Sequence, residues 1–94
     1  MITVIVADDH TVLRDGLRYL LEAQGDIKII GMAANGKEAV DQALAQCPDV
    51  VLMDISMPVM NGIEATRQIC KACQNTKVAI LSMHHTTEYM QRAL

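Results

Sequence analysis

The sequence predicts an α/β fold, a doubly wound parallel sheet of about four strand–helix units, from three observations. Strand-length apolar runs alternate with stretches of helical period along the whole chain. Val50 to Met53 is an unbroken apolar run halted by Asp54, the pattern of a buried strand in a parallel sheet. The connections are short, with no linker or low-complexity stretch, which favours right-handed crossovers and helices on both faces.

Taken in order, Ile2 to Ala7 is rich in β-branched residues and ends at Asp8-Asp9-His10, a strand followed by a loop. From Thr11 the period changes, and Leu13, Leu17, Leu20 and Leu21 fall on one helical face. Gly25 suits the left-handed position after that helix. Ile27 to Ala33 is a second strand, interrupted by Lys28 and Gly31, a weaker pattern that suits an edge. Asn35 with Glu38, and Asn61 with Glu64, open helices two and three in the manner of capping boxes. Ala39, Val40, Ala43, Leu44 and Cys47 form one apolar face; Ile63, Thr66, Ile69, Cys70 and Cys73 form the other. Pro48 closes helix two, and Gln74-Asn75-Thr76 closes helix three. Lys77 to Leu81 is strand four; Ser82 to His85 is a loop, and Thr86 or Thr87 caps a last helix carrying Tyr89, Met90, Ala93 and Leu94.

Composition bounds the chemistry. A chain of 94 residues with 51% hydrophobic content makes one domain with an aliphatic core, since it has two Tyr, no Trp and no Phe. A net charge of −3 without a basic cluster argues against direct nucleic-acid binding, which needs Lys and Arg for phosphates. No apolar run reaches the ~20 residues of a membrane span, and the N-terminus lacks a signal-peptide pattern, so a cytoplasmic location is expected. The three cysteines need no pairing there. Cys70-Lys71-Ala72-Cys73 has redox spacing, but a helix C-terminus disfavours thiolate. Joining these cysteines to His84 and His85 around zinc fails, because strand four separates the pairs by ~15 Å. Met53, Met57, Met60 and Met83 are read as packing under the loops.

Asp54 ends one apolar strand and Asp8-Asp9 ends another. Ligands of open α/β sheets bind beyond the carboxyl ends of the strands, so these acids lie where chemistry is expected. If the two strands are neighbours, three carboxylates meet and repel one another. A hard divalent cation such as Mg²⁺ relieves the repulsion and leaves a position for a phosphate oxygen. His10 and His84-His85 border this pocket and are read as loop histidines without a chemical role, His10 being the best placed to modulate it.

The segments Val6 to His10, Arg14 to Leu17, Ala34 to Ala39, Pro48 to Glu64 and Leu81-Ser82 together resemble the receiver domain of bacterial two-component response regulators. The likeness is nearest to the subfamily with a helix-turn-helix DNA-binding effector. It implies the flavodoxin-like strand order 2-1-3-4-5, of which this sequence supplies the first four strands, and a regulator, not an enzyme beyond slow self-catalysed phosphorylation and dephosphorylation. It further implies that Asp54 accepts a phosphoryl group from a sensor histidine kinase. Asp9 then binds Mg²⁺ directly, Asp8 supports it through water, and the Ser56 carbonyl completes the protein ligands. Ser82 supplies the hydroxyl that senses the phosphoryl group.

The family continues with a fifth strand bearing a lysine and with a fifth helix, whereas this sequence stops at Leu94, so residues 1–94 are read as a receiver domain incomplete at its C-terminus. Its effector then lies outside the chain, and strand four becomes an apolar edge through which, or through an exchanged C-terminal helix, a homodimer is expected. Two alternatives stay open: an interaction-only receiver with impaired phosphorylation, and a Mg²⁺-dependent phosphatase with an aspartate nucleophile. The second wants another Asp two residues after the first, where this sequence has Ser56.

Overall fold

A computed structural model of the chain describes residues 1–81. It runs β1 (Ile2–Ala7), α1 (Thr11–Glu22), β2 (Ile27–Ala33), α2 (Gly36–Gln46), β3 (Val50–Asp54), α3 (Gly62–Ala72) and β4 (Lys77–Leu81). The four strands form one parallel sheet in the order β2-β1-β3-β4, with β2 at an edge as its interrupted pattern predicts. Ser82, Met83, His84, His85 and the expected last helix lie outside the described residues.

Each sheet face has its own core. Ile5, Val51 and Met53 point to one side and pack with Ala39, Val40 and Ala43 of α2 and Ala65 and Ile69 of α3. Val4, Val6 and Ile29 point to the other, where Leu17 and Leu21 of α1 lean on them. Every side chain in α1 keeps some exposure, because this helix stands alone on its face among the described residues. Leu20, expected inside, is 62% exposed.

Two more helical faces depart from the expected ones. In α3 the buried stripe is Gly62, Ala65 and Ile69, continued by Cys73, while Ile63 and Cys70 face outward. Gly62 explains the rotation: a Cβ there would collide with the carbonyl of Asp54, so the helix presents its bare position to β3 and turns Ile63 away. In α2, Gly36, Ala39, Val40 and Ala43 are buried and Leu44 is left at the margin. Small residues at these contacts bring both helices close to the sheet.

The caps form as the Asn residues predict. Asn35 Oδ1 accepts from the Glu38 N–H at 2.9 Å and Asn61 Oδ1 from the Glu64 N–H at 2.9 Å. The reciprocal halves differ from a capping box. Glu38 accepts from the Ala34 N–H at 2.8 Å, and Glu64 turns instead to Arg67 and Gln68. Gly25 has φ +83°, the left-handed conformation expected after α1.

The cysteines correct the sequence reading most. Cys47, the left-handed C-cap of α2, is joined by a disulfide to Cys73, the C-cap of α3, with Cα atoms 5.6 Å apart. Cys70 is an exposed free thiol. Spacing within one helix gave no sign of this bond, because its partners come from different helices.

Candidate functional site

The site is built by register. β1 pairs with β3 so that Ala7 lies beside Met53, and one residue further each strand end supplies an acid, Asp8 and Asp54. Both are almost fully buried, at 0% and 1% exposed. The Asp8 N–H donates to the Ala33 carbonyl at 3.0 Å, which ties the end of β1 to the end of β2. Asp9 follows at the rim with its side chain 33% exposed.

His10, expected at the border of the site, lies within this cluster. Its backbone N–H and its ring Nδ1 both lie 2.8 Å from Asp8 Oδ1, and Nδ1 lies 3.0 Å from Asp9 Oδ1. The hydrogen bond to Asp8 raises the imidazole above its ordinary pKa, with the charges of Asp9, Asp8 and Asp54 acting in the same direction against desolvation. Arg14 was not singled out from the sequence. Its Nη1 donates to the Asp8 carbonyl at 2.8 Å and holds the turn after β1 against α1. A cation one turn into a helix that starts beside the acids was the available signal.

Ligand atoms of Asp8, Asp9, His10 and Asp54 all lie within 4.8 Å of one another, close enough to share a metal ion. Asp8 Oδ2 is buried and accepts no hydrogen bond among the described residues. A buried carboxylate oxygen without a donor is costly, and a cation is the partner that such an atom fits. The set of carboxylate oxygens suits a hard ion.

The loop after Asp54 is tied by its own backbone. The Gly62 N–H donates to the Ile55 carbonyl at 2.8 Å and the Met60 N–H to the Pro58 carbonyl at 2.8 Å. Met53 and Met57 are buried and Met60 packs on the same core, as expected of them. Val59 has φ 70°, a conformation costly for a β-branched residue, and it is exposed. Gly36 lies so close to the Met60 carbonyl that no Cβ fits between them. Ser56 is exposed in the bend after β3.

Comparison with known proteins agrees with this geometry. The family model described as the response regulator receiver domain matches residues 4–94. The transcriptional regulatory protein LiaR of Bacillus subtilis (strain 168) is 49% identical over 82 residues, covering 87% of this chain and 39% of its own. The response regulator UvrY of Escherichia coli (strain K12) is 43% identical over 84 residues, covering 89% of this chain and 38% of its own. A DNA-binding response regulator of the LuxR family from Staphylococcus aureus superposes with TM-score 0.84 at 32% identity, over 99% of this chain and 78% of that one. The chain spans about two-fifths of the length of the curated relatives it matches. No helix among the described residues is long and apolar enough to cross a membrane. With the parallel sheet, the acids at its strand ends and a family match along nearly the whole sequence, the chain belongs to the response regulator receiver domain family.

Proposed function

We propose that residues 1–94 act as one phosphorylation-controlled receiver unit of a transcriptional response regulator, with Asp54 as the phosphoacceptor and a sensor kinase histidine as the donor. The observation that carries this reading is the convergence of Asp8, Asp9 and Asp54 within ligand distance at one end of the sheet. Asp54 serves as the nucleophile: a carboxylate oxygen attacks phosphorus, and the donor nitrogen leaves with the bonding pair. Burial of Asp54 restricts the water that would compete for the phosphoryl group or hydrolyse it afterwards.

Asp8, Asp9, Asp54 and the Ser56 carbonyl would hold Mg²⁺. Bound there, the ion supplies charge neutralisation for the carboxylates and for phosphoryl oxygens. His10 and Arg14 position Asp8, one through its carboxylate and the other through its carbonyl. Leu81 lies beside Asp54 in register, and the next residue in the sequence, Ser82, is assigned the sensing hydroxyl. The added charge at the sheet's end is the signal passed to a DNA-binding effector.

Incubation with acetyl phosphate and Mg²⁺, followed by intact mass, tests the assignment. A gain of one phosphoryl group by the wild type and not by Asp54→Asn is expected. Equal labelling of both refutes Asp54 as acceptor, and labelling of neither supports an interaction-only receiver.

A second reading adds self-association. β4 has no strand on its outer side among the described residues, with Ala79 and Ile80 exposed along it, and such edges pair with another chain. Sedimentation that shows a folded monomer at micromolar concentration refutes this reading.

A further inference from the structure

The two helices on the α2/α3 side of the sheet are linked at the end remote from Asp54. Cys47 and Cys73 cap their C-termini, and hydrogen bonds between the adjoining turns hold the two residues together independently of the sulfur bond. Thr76 Oγ1 donates to the Pro48 carbonyl at 2.6 Å, and the Lys77 N–H donates to the Asp49 carbonyl at 2.9 Å. The Cα separation of 5.6 Å is within the range a disulfide spans without backbone movement. The reduced state is also provided for: Cys73 Sγ lies 3.4 Å from the Ala43 carbonyl, an acceptor for its S–H. Cys47 is exposed while Cys73 is 3% exposed, so a reagent from solution reaches one sulfur and not the other.

We propose that Cys47 and Cys73 form a reversible thiol–disulfide site, a modification that clamps α2 to α3 and sets the stability of the domain without touching its acceptor chemistry. The oxidant class is a low-molecular-weight disulfide. The Cys47 thiolate attacks one sulfur of that molecule, forming a mixed disulfide and expelling the first small thiolate. Cys73 then gives up its proton and attacks the Cys47 sulfur, expelling the second. Two protein thiols and one small disulfide become one protein disulfide and two small thiols; a dithiol reductant attacking exposed Cys47 reverses the sequence. The length of β3 places Asp54 roughly 15 Å from the clamp, which leaves phosphoryl uptake unaffected.

The test treats the whole chain with oxidised glutathione or with dithiothreitol, then counts thiols, maps peptides and measures thermal unfolding. The expected oxidised protein has one free thiol, Cys70, a Cys47–Cys73 peptide and a Tm roughly 10 °C above the reduced form. Dithiothreitol reverses all three changes. Cys47→Ser, at an exposed position, removes the redox dependence of Tm, and Cys70→Ser retains it. Glutathione that stays attached, a linkage through Cys70, or Tm values that agree in the two states would overturn the proposal.

Discussion

The two ends of the sheet are built on opposite principles. At the carboxyl ends of the strands, Asp8, Asp9 and Asp54 crowd together, Asp8 Oδ2 is buried without a hydrogen bond among the described residues, and the Val59 backbone is held at positive φ. At the amino ends, polar groups are matched across the chain. The Asp49 carboxylate accepts from the Thr3 N–H at 2.9 Å and from its hydroxyl at 3.0 Å, and the same hydroxyl lies 3.0 Å from the Asp49 N–H. Thr76 reaches Pro48, and a disulfide closes the α2/α3 side. Crowded like charge lowers stability but prepares a site for a cation and a phosphoryl group, so the amino end is expected to carry more of the fold's stability.

The largest effect that tests this contrast comes from the start of α3, where it meets Asp54. Gly62→Ala puts a methyl group into the Asp54 carbonyl, where backbone must move, and urea unfolding is expected to show a loss of about 3 kcal/mol. At the other end, Thr76→Val keeps the shape but leaves the Pro48 carbonyl without its buried donor; a loss of about 2 kcal/mol is expected by the same measurement.

Asp54→Asn has the opposite sign. Removing one of the clustered charges is expected to stabilise the Mg²⁺-free protein by on the order of 1 kcal/mol. Mg²⁺ at ten times its Kd then stabilises the wild type by about 1.4 kcal/mol and the variant by much less. A variant less stable than the wild type without Mg²⁺ would show that the cluster is not strained by repulsion.

The smallest effect lies outside both ends. The Arg67 guanidinium, with help from Gln68, holds the Glu64 carboxyl at about 2 against an ordinary 4.5. A depressed folded-state pKa stabilises above the unfolded value and loses that contribution as pH falls toward the folded one. The stability difference between wild type and Glu64→Gln is therefore expected to be full at pH 7 and to shrink between pH 4.5 and pH 2. The Glu64 side chain is 40% exposed, so high salt is expected to reduce the difference as well.

The strands, the helices and the Asn caps were legible in the sequence because each is dictated by near neighbours: periods of two and 3.6, a side-chain oxygen within reach of a backbone N–H three residues on. The acids at the ends of β1 and β3 were legible for the same reason, as charges ending apolar runs. What the sequence left undecided depends on how elements rotate and approach. Gly62 against the Asp54 carbonyl turned Ile63 and Cys70 outward, and only the docking of α2 beside α3 brought Cys47 to Cys73. His10 joined the cluster because the turn after β1 folds its ring back onto Asp8 and Asp9. Local sequence therefore determined the elements and the identity of the acids. Tertiary packing decided which side chains share a contact, since a rotation of one residue moves a helical position by about 100° and no local signal records it.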